Sequence, residues 1–188
     1  MVDVGGGHGA LLTALLIAYP AMHGVIVDRA HASDGAIAAM TCAGVASRCE
    51  FVAGDFFASI PGGADVYLLK SILHNWNDER AAVILGNCRR AVTGEASLLV
   101  IERTMPARMQ GTAREQVMAR TDLYMLVGLG GRERTEAQFR VLFATASFQL
   151  TRVIAAGRDL SIIEGAPVTA SVDSPFSPPV CRARFPSR

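Results

Sequence analysis

Short apolar runs alternate along the chain with longer segments in which apolar residues recur at helical spacing. The runs predict five strands, at Val2–Val4, Gly24–Val27, Glu50–Ala53, Val66–Lys70 and Leu98–Ile101. Because the runs are nearly continuous rather than alternating, they are typical of parallel strands covered on both faces. A last pair, Leu150–Ala155 and Leu160–Glu164, is separated by a short turn and predicts one terminal antiparallel strand.

The segments between these runs predict helices, so that strands and helices alternate along the chain. The expected helices are Ala10–Tyr19, Ser33–Ala43, a helix that opens at 75–78 and continues to Val92, Thr112–Leu126, and Thr135–Ala146. This alternation favours an α/β fold with a doubly wound, mostly parallel sheet of seven strands. Residues 1–165 are expected to form one domain. Residues 166–188 are expected to form a disordered tail, because prolines and serines replace the periodic pattern there.

Composition excludes several classes of function. The formal net charge of 188 residues is +1 and no basic stripe is present, which argues against nucleic-acid binding. No uncharged apolar run is long enough to cross a membrane. The four cysteines form no paired motif and no metal-ligand cluster is visible in the sequence, so no metal is expected. Met1 leads directly into a strand without a signal peptide, so the expected location is the cytoplasm.

The first strand runs into a glycine-rich turn, Gly5-Gly6-Gly7-His8-Gly9, at the start of a helix. Such a turn lets a nucleoside approach the backbone and offers it free N–H groups. Two cofactor classes fit the turn. One is a dinucleotide, with Ala10 as the third small residue of its fingerprint, and the other is S-adenosylmethionine.

Acidic residues near the strand ends favour S-adenosylmethionine. Asp28 and Asp55 follow the second and third strands and could accept hydrogen bonds from ribose hydroxyls and an adenine amino group. Asp3 lies at the glycine turn, where a carboxylate suits a sulfonium and ammonium ligand and disfavours a pyrophosphate. Taken singly, Asp28 or Asp55 could instead cap a helix or form a turn.

The segment after the fourth strand carries candidate chemistry. His74 lies past the carboxyl end of that strand, where open parallel sheets bind their ligands. An imidazole there is a candidate general base, because its pKa lies near neutrality. The alternative is an ordinary polar histidine in a loop or first helical turn.

Five motifs in order resemble the plant-type small-molecule O-methyltransferases, which include caffeic acid, flavonoid and hydroxyindole enzymes and bacterial polyketide-tailoring relatives. They are the Val2–Gly9 opening, Gly54-Asp55-Phe56-Phe57, Leu73-His74-Asn75-Trp76-Asn77-Asp78-Glu79, Leu99-Val100-Ile101-Glu102 with Pro106 after it, and Gly130-Gly131-Arg132-Glu133-Arg134-Thr135. The resemblance covers about residues 2–165. It implies the Rossmann-like class I methyltransferase fold.

The resemblance also implies a role for individual residues. His74 corresponds to the catalytic base, and Glu102 and Glu133 to two carboxylates that flank and orient it. The residues that the resemblance implies as contacts of S-adenosylmethionine are Gly5, Gly7, Asp28, Asp55, Phe56 and Lys70. Asp3 is a further expected contact, because its carboxylate suits a cationic ligand. Those expected to contact the acceptor, a phenolic small molecule, are Trp76, Met118, Asp122 and Met125. Methionines at this spacing are also common as core residues.

Two departures from the family pattern matter. Asn75 stands where the family often has Asp, and is expected to alter a cap more than the chemistry. Family members carry about a hundred residues ahead of the first strand, which build a homodimer and close one wall of the acceptor pocket. The sequence is therefore expected to be an N-terminally truncated catalytic domain that binds S-adenosylmethionine weakly and turns over slowly or not at all. A second hypothesis places the missing domain on another polypeptide. The alternatives are an NAD-dependent oxidoreductase or a non-catalytic methyltransferase-like fragment.

Overall fold

The computed structural model describes residues 1–157 and 159–168. Its strands are β1 Val2–Val4, β2 Gly24–Asp28, β3 Cys49–Ala53, β4 Val66–Lys70, β5 Ser97–Met105, β6 Arg134–Thr135, β7 Phe148–Ala155 and β8 Leu160–Pro167. Its helices are α1 Ala10–Ala18, α2 Ser33–Cys42, α3 Asp78–Ala91, α4 Ala113–Leu129 and α5 Glu136–Thr145. No helix in these two stretches combines the length and apolar character needed to cross a bilayer.

One sheet organises the molecule, with strand order β3-β2-β1-β4-β5-β8-β7. The first five strands in this order are parallel, and β8 runs antiparallel to both neighbours. This confirms the expected α/β fold class. The strand order reverses between β1 and β4, and ligands of open α/β sheets bind at the carboxyl ends beside such a reversal.

Some element boundaries differ from the predicted ones. β5 extends to Met105 because a two-residue strand that the sequence pattern did not predict, β6, pairs with Thr104 and Met105. β8 extends to Pro167, two residues beyond the expected domain boundary. The rest of the predicted tail, from residue 169 on, lies outside the described residues.

Two apolar clusters hold the helices against the sheet. The larger joins α3 and α5 to the central strands and includes Tyr67, Leu69, Ile84 and Phe143. The smaller joins α1 and α2 to β2 and contains Leu12, Leu16, Ile26, Ala36, Met40, Val45 and Cys49. Helices therefore cover both faces, and the carboxyl ends of the strands are left to form a site.

Candidate active site

The glycine turn adopts backbone conformations that favour glycine. Gly5 and Gly7 have φ of +72° and +57°. A Cβ at Gly5 would collide with the side chain of Ile72, and Phe56 also lies beside it. A Cβ at Gly7 would meet nothing within 4 Å, so open space lies in front of that residue. The turn is therefore packed at Gly5 and accessible at Gly7, as a backbone that receives a ligand requires.

Asp28 supports the glycine turn from the end of β2. Its Oδ2 accepts a hydrogen bond of 2.7 Å from the Gly7 N–H, and its Oδ1 accepts one of 2.7 Å from Arg29. Asp55 accepts a hydrogen bond of 2.8 Å from the Phe57 N–H and is exposed. Asp55 thus forms a local turn, the structural role left open above, whereas Asp28 links the end of β2 to the glycine turn 21 residues earlier. Each carboxylate oxygen keeps further acceptor capacity.

Asp3 is a buried acid beside the glycine turn, with 3% of its surface exposed. Burial raises the pKa of Asp3 to about 6; the positive charge of Lys70 opposes this shift and the negative charge of Asp28 adds to it. An ionised carboxylate in such a place gains from a cationic ligand, because the ligand replaces lost hydration. Lys70 itself is exposed at the end of β4.

An aromatic cluster lies beside the turn. Phe57 and Trp76 pack edge to face with ring centroids 4.8 Å apart, and Phe56 lies 6.5 Å from Trp76. The guanidinium of Arg80 stacks over Trp76 at 4.7 Å. Trp76 was expected on the acceptor side, but the fold groups it with Phe56, an expected cofactor contact.

Glu102 holds the turn that carries His74. Its Oε1 accepts three backbone hydrogen bonds, from Ile72 at 3.0 Å, Leu73 at 2.9 Å and His74 at 3.3 Å. Its Oε2 lies 3.5 Å from His74 Nδ1. One carboxylate, only 1% exposed, therefore both caps the turn and faces the imidazole. Burial raises the pKa of Glu102, and the nearby His74 opposes that shift.

Glu133 completes the surroundings of the imidazole. His74 Nδ1 is 3.2 Å from Glu133 Oε1, a hydrogen bond that leaves Nε2 without a partner among the described residues. Burial alone would lower the pKa of His74, but the hydrogen bond to Glu133 and the charges of Glu102 and Glu133 outweigh it. The pKa of His74 is therefore raised. With the Nδ1 proton directed at Glu133, the Nε2 lone pair is free to accept a proton.

These three side chains also have a spacing that a metal ion could use. One ligand atom from each of His74, Glu102 and Glu133 lies within 4.8 Å of the others. The sequence analysis expected these three residues together, but as a base with two flanking carboxylates and not as metal ligands. The contacts described above account for the grouping in another way. Glu102 Oε1 is occupied by three N–H groups and Nδ1 is hydrogen-bonded to Glu133.

The residues expected to contact the acceptor take different positions. Asp122 accepts a hydrogen bond of 2.7 Å from the Glu133 N–H, so it supports the carboxylate next to the imidazole. Met125 is buried on α4, and its carbonyl accepts a hydrogen bond from Gly131. Met118 lines a cavity of about 940 Å³ together with Met105, Thr135 and Arg140.

None of the three central side chains lines that cavity. A cavity of about 280 Å³ is lined by two of them, His74 and Glu102, together with Lys70, Ser71, Arg103 and Leu160. Because a general base must lie within hydrogen-bond reach of its substrate, the smaller cavity is the better candidate for the reacting atoms.

Sequence reasoning missed several residues that shape the site. Asn75 donates a hydrogen bond of 3.1 Å to the Ser71 carbonyl, and Ser71 has φ of +57°. Arg103 Nη1 lies 3.7 Å from Glu133 Oε1. Arg134 is almost completely buried beside the His74 turn. Its place in a charged Gly-Gly-Arg-Glu-Arg segment gave no sign of burial.

Comparisons with known proteins match this arrangement. A sequence profile of the O-methyltransferase domain matches residues 1–149. Phenazine O-methyltransferase PhzM of Lysobacter antibioticus is 40% identical over 168 residues, which are 89% of this chain and 48% of that protein. O-demethylpuromycin-O-methyltransferase of Streptomyces alboniger is 44% identical over 170 residues, 89% of this chain and 45% of that protein.

A solved structure supports the same likeness. The crystal structure of NcsB1, an O-methyltransferase from neocarzinostatin biosynthesis in complex with S-adenosylmethionine and 2-hydroxy-5-methyl naphthoic acid, superposes with a TM-score of 0.80 at 33% identity. The match covers 89% of this chain and 48% of that one. The chain thus spans about half the length of the relatives it matches. These matches confirm the resemblance drawn from the sequence motifs.

Proposed function

The chain belongs to the O-methyltransferase domain family, and on that premise we propose that it methylates a hydroxyl group of a small aromatic molecule, with S-adenosylmethionine as the methyl donor. The observation that carries the proposal is the imidazole of His74, which is held by two buried carboxylates and keeps Nε2 free. Its turn lies against the glycine turn through Ile72.

The described residues fit the methyl donor. Gly7 faces open space, the backbone at Gly5 and Gly7 is preset, and Asp3 is a buried carboxylate that a cation would stabilise. We assign to Asp3, Gly5, Gly7, Asp28, Asp55, Phe56 and Lys70 the binding of this molecule, and add Trp76 because it packs in the same aromatic cluster. When bound, S-adenosylmethionine supplies a methyl group activated by the positive charge on sulfur.

His74 then supplies the base. A phenol has a pKa of about 10, so its neutral hydroxyl is a weak nucleophile at neutral pH. Nε2 of His74 accepts the hydroxyl proton while the oxygen bonds to the methyl carbon and the carbon–sulfur bond breaks. Glu133 and Glu102 stabilise the resulting imidazolium, and the hydrogen bond at Nδ1 keeps the ring in the tautomer that can accept a proton.

Relatives support an aromatic hydroxyl acceptor. The matched proteins include a phenazine O-methyltransferase and an O-methyltransferase that binds 2-hydroxy-5-methyl naphthoic acid. The remaining length of these relatives is where we place the helices that complete the acceptor pocket and build a homodimer. By itself the present chain keeps His74 14% exposed in an open cavity, so we expect it to bind the donor weakly and to transfer methyl groups slowly.

Calorimetry and turnover test this function together. We expect S-adenosylhomocysteine to bind and NADH not to bind, and slow methylation of 1,4-dihydroxy-2-naphthoic acid in the presence of S-adenosylmethionine. His74→Gln should lower turnover by about 10²- to 10⁴-fold, the contribution of a general base, while donor affinity stays unchanged. His31→Gln, which changes an exposed histidine, is the control.

Three results would contradict the proposal. Tighter binding of NADH than of S-adenosylhomocysteine would favour an oxidoreductase. Binding of S-adenosylhomocysteine without any methylation across a panel of phenols and naphthols would favour a non-catalytic domain. Turnover that is unchanged in His74→Gln would remove the general base.

A further inference from the structure

The short turn that carries His74 is held from two sides. On the N–H side, Glu102 accepts the hydrogen bonds of Ile72, Leu73 and His74. The turn also has carbonyl groups, and Leu73 among its residues is completely buried. Buried carbonyl groups need donors, because each one left unpaired costs about 1–3 kcal/mol. The internal donor is the Trp76 N–H, which bonds to the Leu73 carbonyl at 3.1 Å.

Arg134 supplies further donors. Its side chain is 1% exposed. Its Nη1 donates to the Leu73 carbonyl at 2.9 Å and its Nη2 to the Trp76 carbonyl at 2.8 Å. Its Nε donates to Asp78 Oδ1 at 2.9 Å. One planar guanidinium therefore links the backbone on both sides of His74 to Asp78 at the start of α3.

The backbone around Arg134 packs closely on the same turn. The Arg132 N–H donates to the His74 carbonyl at 2.9 Å. A Cβ at Gly131 would overlap the His74 carbonyl and come within 2.8 Å of the Trp76 nitrogen, so this approach requires glycine. The segment 131–134 thus contacts the turn through backbone, through the Glu133 carboxylate and through the Arg134 side chain.

We propose that Arg134 is a positioning residue that sets the distance between the His74 imidazole and the Glu133 carboxylate. Glu133 and Arg134 are adjacent in the sequence. The Glu133 carboxylate bonds to the His74 ring, and the Arg134 guanidinium bonds to backbone carbonyls on either side of His74. Loosening Arg134 lets the turn shift relative to Glu133, and the hydrogen bond at Nδ1 lengthens. The catalytic consequence rests on the proposed function, but the geometric consequence does not.

Arginine suits this position because of its shape. Its two Nη groups and Nε form a rigid fork that reaches two carbonyls and a carboxylate at once. A lysine ammonium is a single point at the end of a flexible stem, so it cannot span both carbonyls. Arg134→Lys keeps the positive charge and removes the fork, whereas Arg134→Met keeps the length and removes both.

The chain offers a matched control in Arg48. Its Nη1 donates to the Met22 carbonyl at 2.7 Å and its Nη2 to the Leu16 carbonyl at 2.8 Å, so it also joins backbone carbonyls of separate segments. Those segments belong to the α1 side of the sheet. Arg48→Met should therefore cost stability without changing the geometry around His74.

Nitrogen-15 NMR of the imidazole in the full chain is the principal measurement. His74→Gln identifies the signals, and a pH titration gives the pKa of His74 in each variant. In Arg134→Lys and Arg134→Met we expect the pKa of His74 to fall, because the ring loses part of the interaction with Glu133. Arg48→Met should leave it unchanged. Where methylation is measurable, kcat should fall by about 10²-fold, with KM for S-adenosylmethionine nearly unchanged.

A milder variant covers the case in which both Arg134 variants unfold. Asp78 is 52% exposed and is the anionic partner of Arg134. Asp78→Ala leaves the two carbonyl bonds but removes that anchor, and a smaller fall in the pKa of His74 is expected. An unchanged pKa of His74 in Asp78→Ala and in any folded Arg134 variant would overturn the proposal. Failure of methylation alone would count against the proposed function and not against this positioning role.

Discussion

At the scale of single residues, the acids of the site are buried for different reasons. Glu102 accepts three N–H groups and faces an imidazole, so its charge has partners inside the protein. Asp3 has the distant charge of Lys70 as its main favourable influence, and its pKa is raised to about 6. Ionised Asp3 is therefore unfavourable by itself, and a cationic ligand would relieve this cost.

Asp3→Asn tests whether the carboxylate lowers the stability of the ligand-free chain while it favours ligand binding. The pKa of Asp3 is raised from 3.8 to about 6, so ionising Asp3 in the folded state costs on the order of 3 kcal/mol. The pKa is raised, so the cost is absent below pH 3.8, grows as pH rises and is complete above about 6. We expect Asp3→Asn to stabilise the ligand-free chain at pH 7.5 by up to that amount, and to have little effect near pH 4.

The same substitution should weaken ligand binding. Loss of the carboxylate removes a charged partner of the ammonium group that S-adenosylhomocysteine carries, which corresponds to about tenfold or more in the Kd of that ligand. Thermal unfolding with and without that ligand measures both effects. Asp65→Asn, at an exposed position, is the control. A ligand-free Asp3→Asn chain that is less stable at pH 7.5 would show that the carboxylate has a partner of its own.

At the scale of elements, two asparagines of one segment have opposite hydrogen-bonding roles. Asn75 donates through Nδ2 to the Ser71 carbonyl at 3.1 Å, which holds Ser71 at positive φ. Asn77 accepts through Oδ1 from the Arg80 N–H at 3.0 Å and caps α3. The departure from the family pattern at Asn75 therefore affects the turn after β4 rather than a helix cap.

Substituting each asparagine by aspartate separates these roles. Asn75→Asp should lower the free energy of unfolding by about 1 kcal/mol, because a carboxylate cannot donate and repels the Ser71 carbonyl. Asn77→Asp should be neutral or slightly stabilising, since aspartate is an equally good cap and favours a helix N-terminus. Urea unfolding at pH 7.5 compares the two. Equal effects of the two substitutions would mean that Asn75 does not act as a donor.

The sequence predicted those parts of the site that depend on one segment. The glycine turn, the acids near strand ends and the helix caps are local patterns, and Thr135 and Gln138 form the expected capping box. Among contacts between distant segments, those of His74 with Glu102 and Glu133 were expected only because of the family resemblance, and the others could not be predicted. The bonds from Arg134 to Leu73 and from Glu133 to Asp122 depend on how α4 and the following loop dock, and no periodicity records that.

At the scale of the whole molecule, the candidate site lies where the strand order of the sheet reverses. One helix, α4, buries few of its apolar side chains. α4 has 17 residues, of which only Met118 and Met125 are buried. Its large exposed apolar side chains are Val117, Leu123, Tyr124, Leu126, Val127 and Leu129. Five of these six side chains lie within residues 123–129, and exposed apolar surface of this extent favours association in water.

We therefore expect the isolated chain to self-associate through α4 as its concentration rises. Leu126→Glu combined with Val127→Glu should suppress this association, because it places two charges where the side chains are 59% and 79% exposed. Sedimentation velocity over a range of concentrations measures the effect, with Val83→Glu on α3 as a control at a separate exposed apolar position. Binding of S-adenosylhomocysteine should be unchanged in both, since α4 contacts the site through its Met118 and Met125 edge. A wild-type chain that stays monomeric at every concentration would show that the exposed apolar side chains of α4 do not cause self-association.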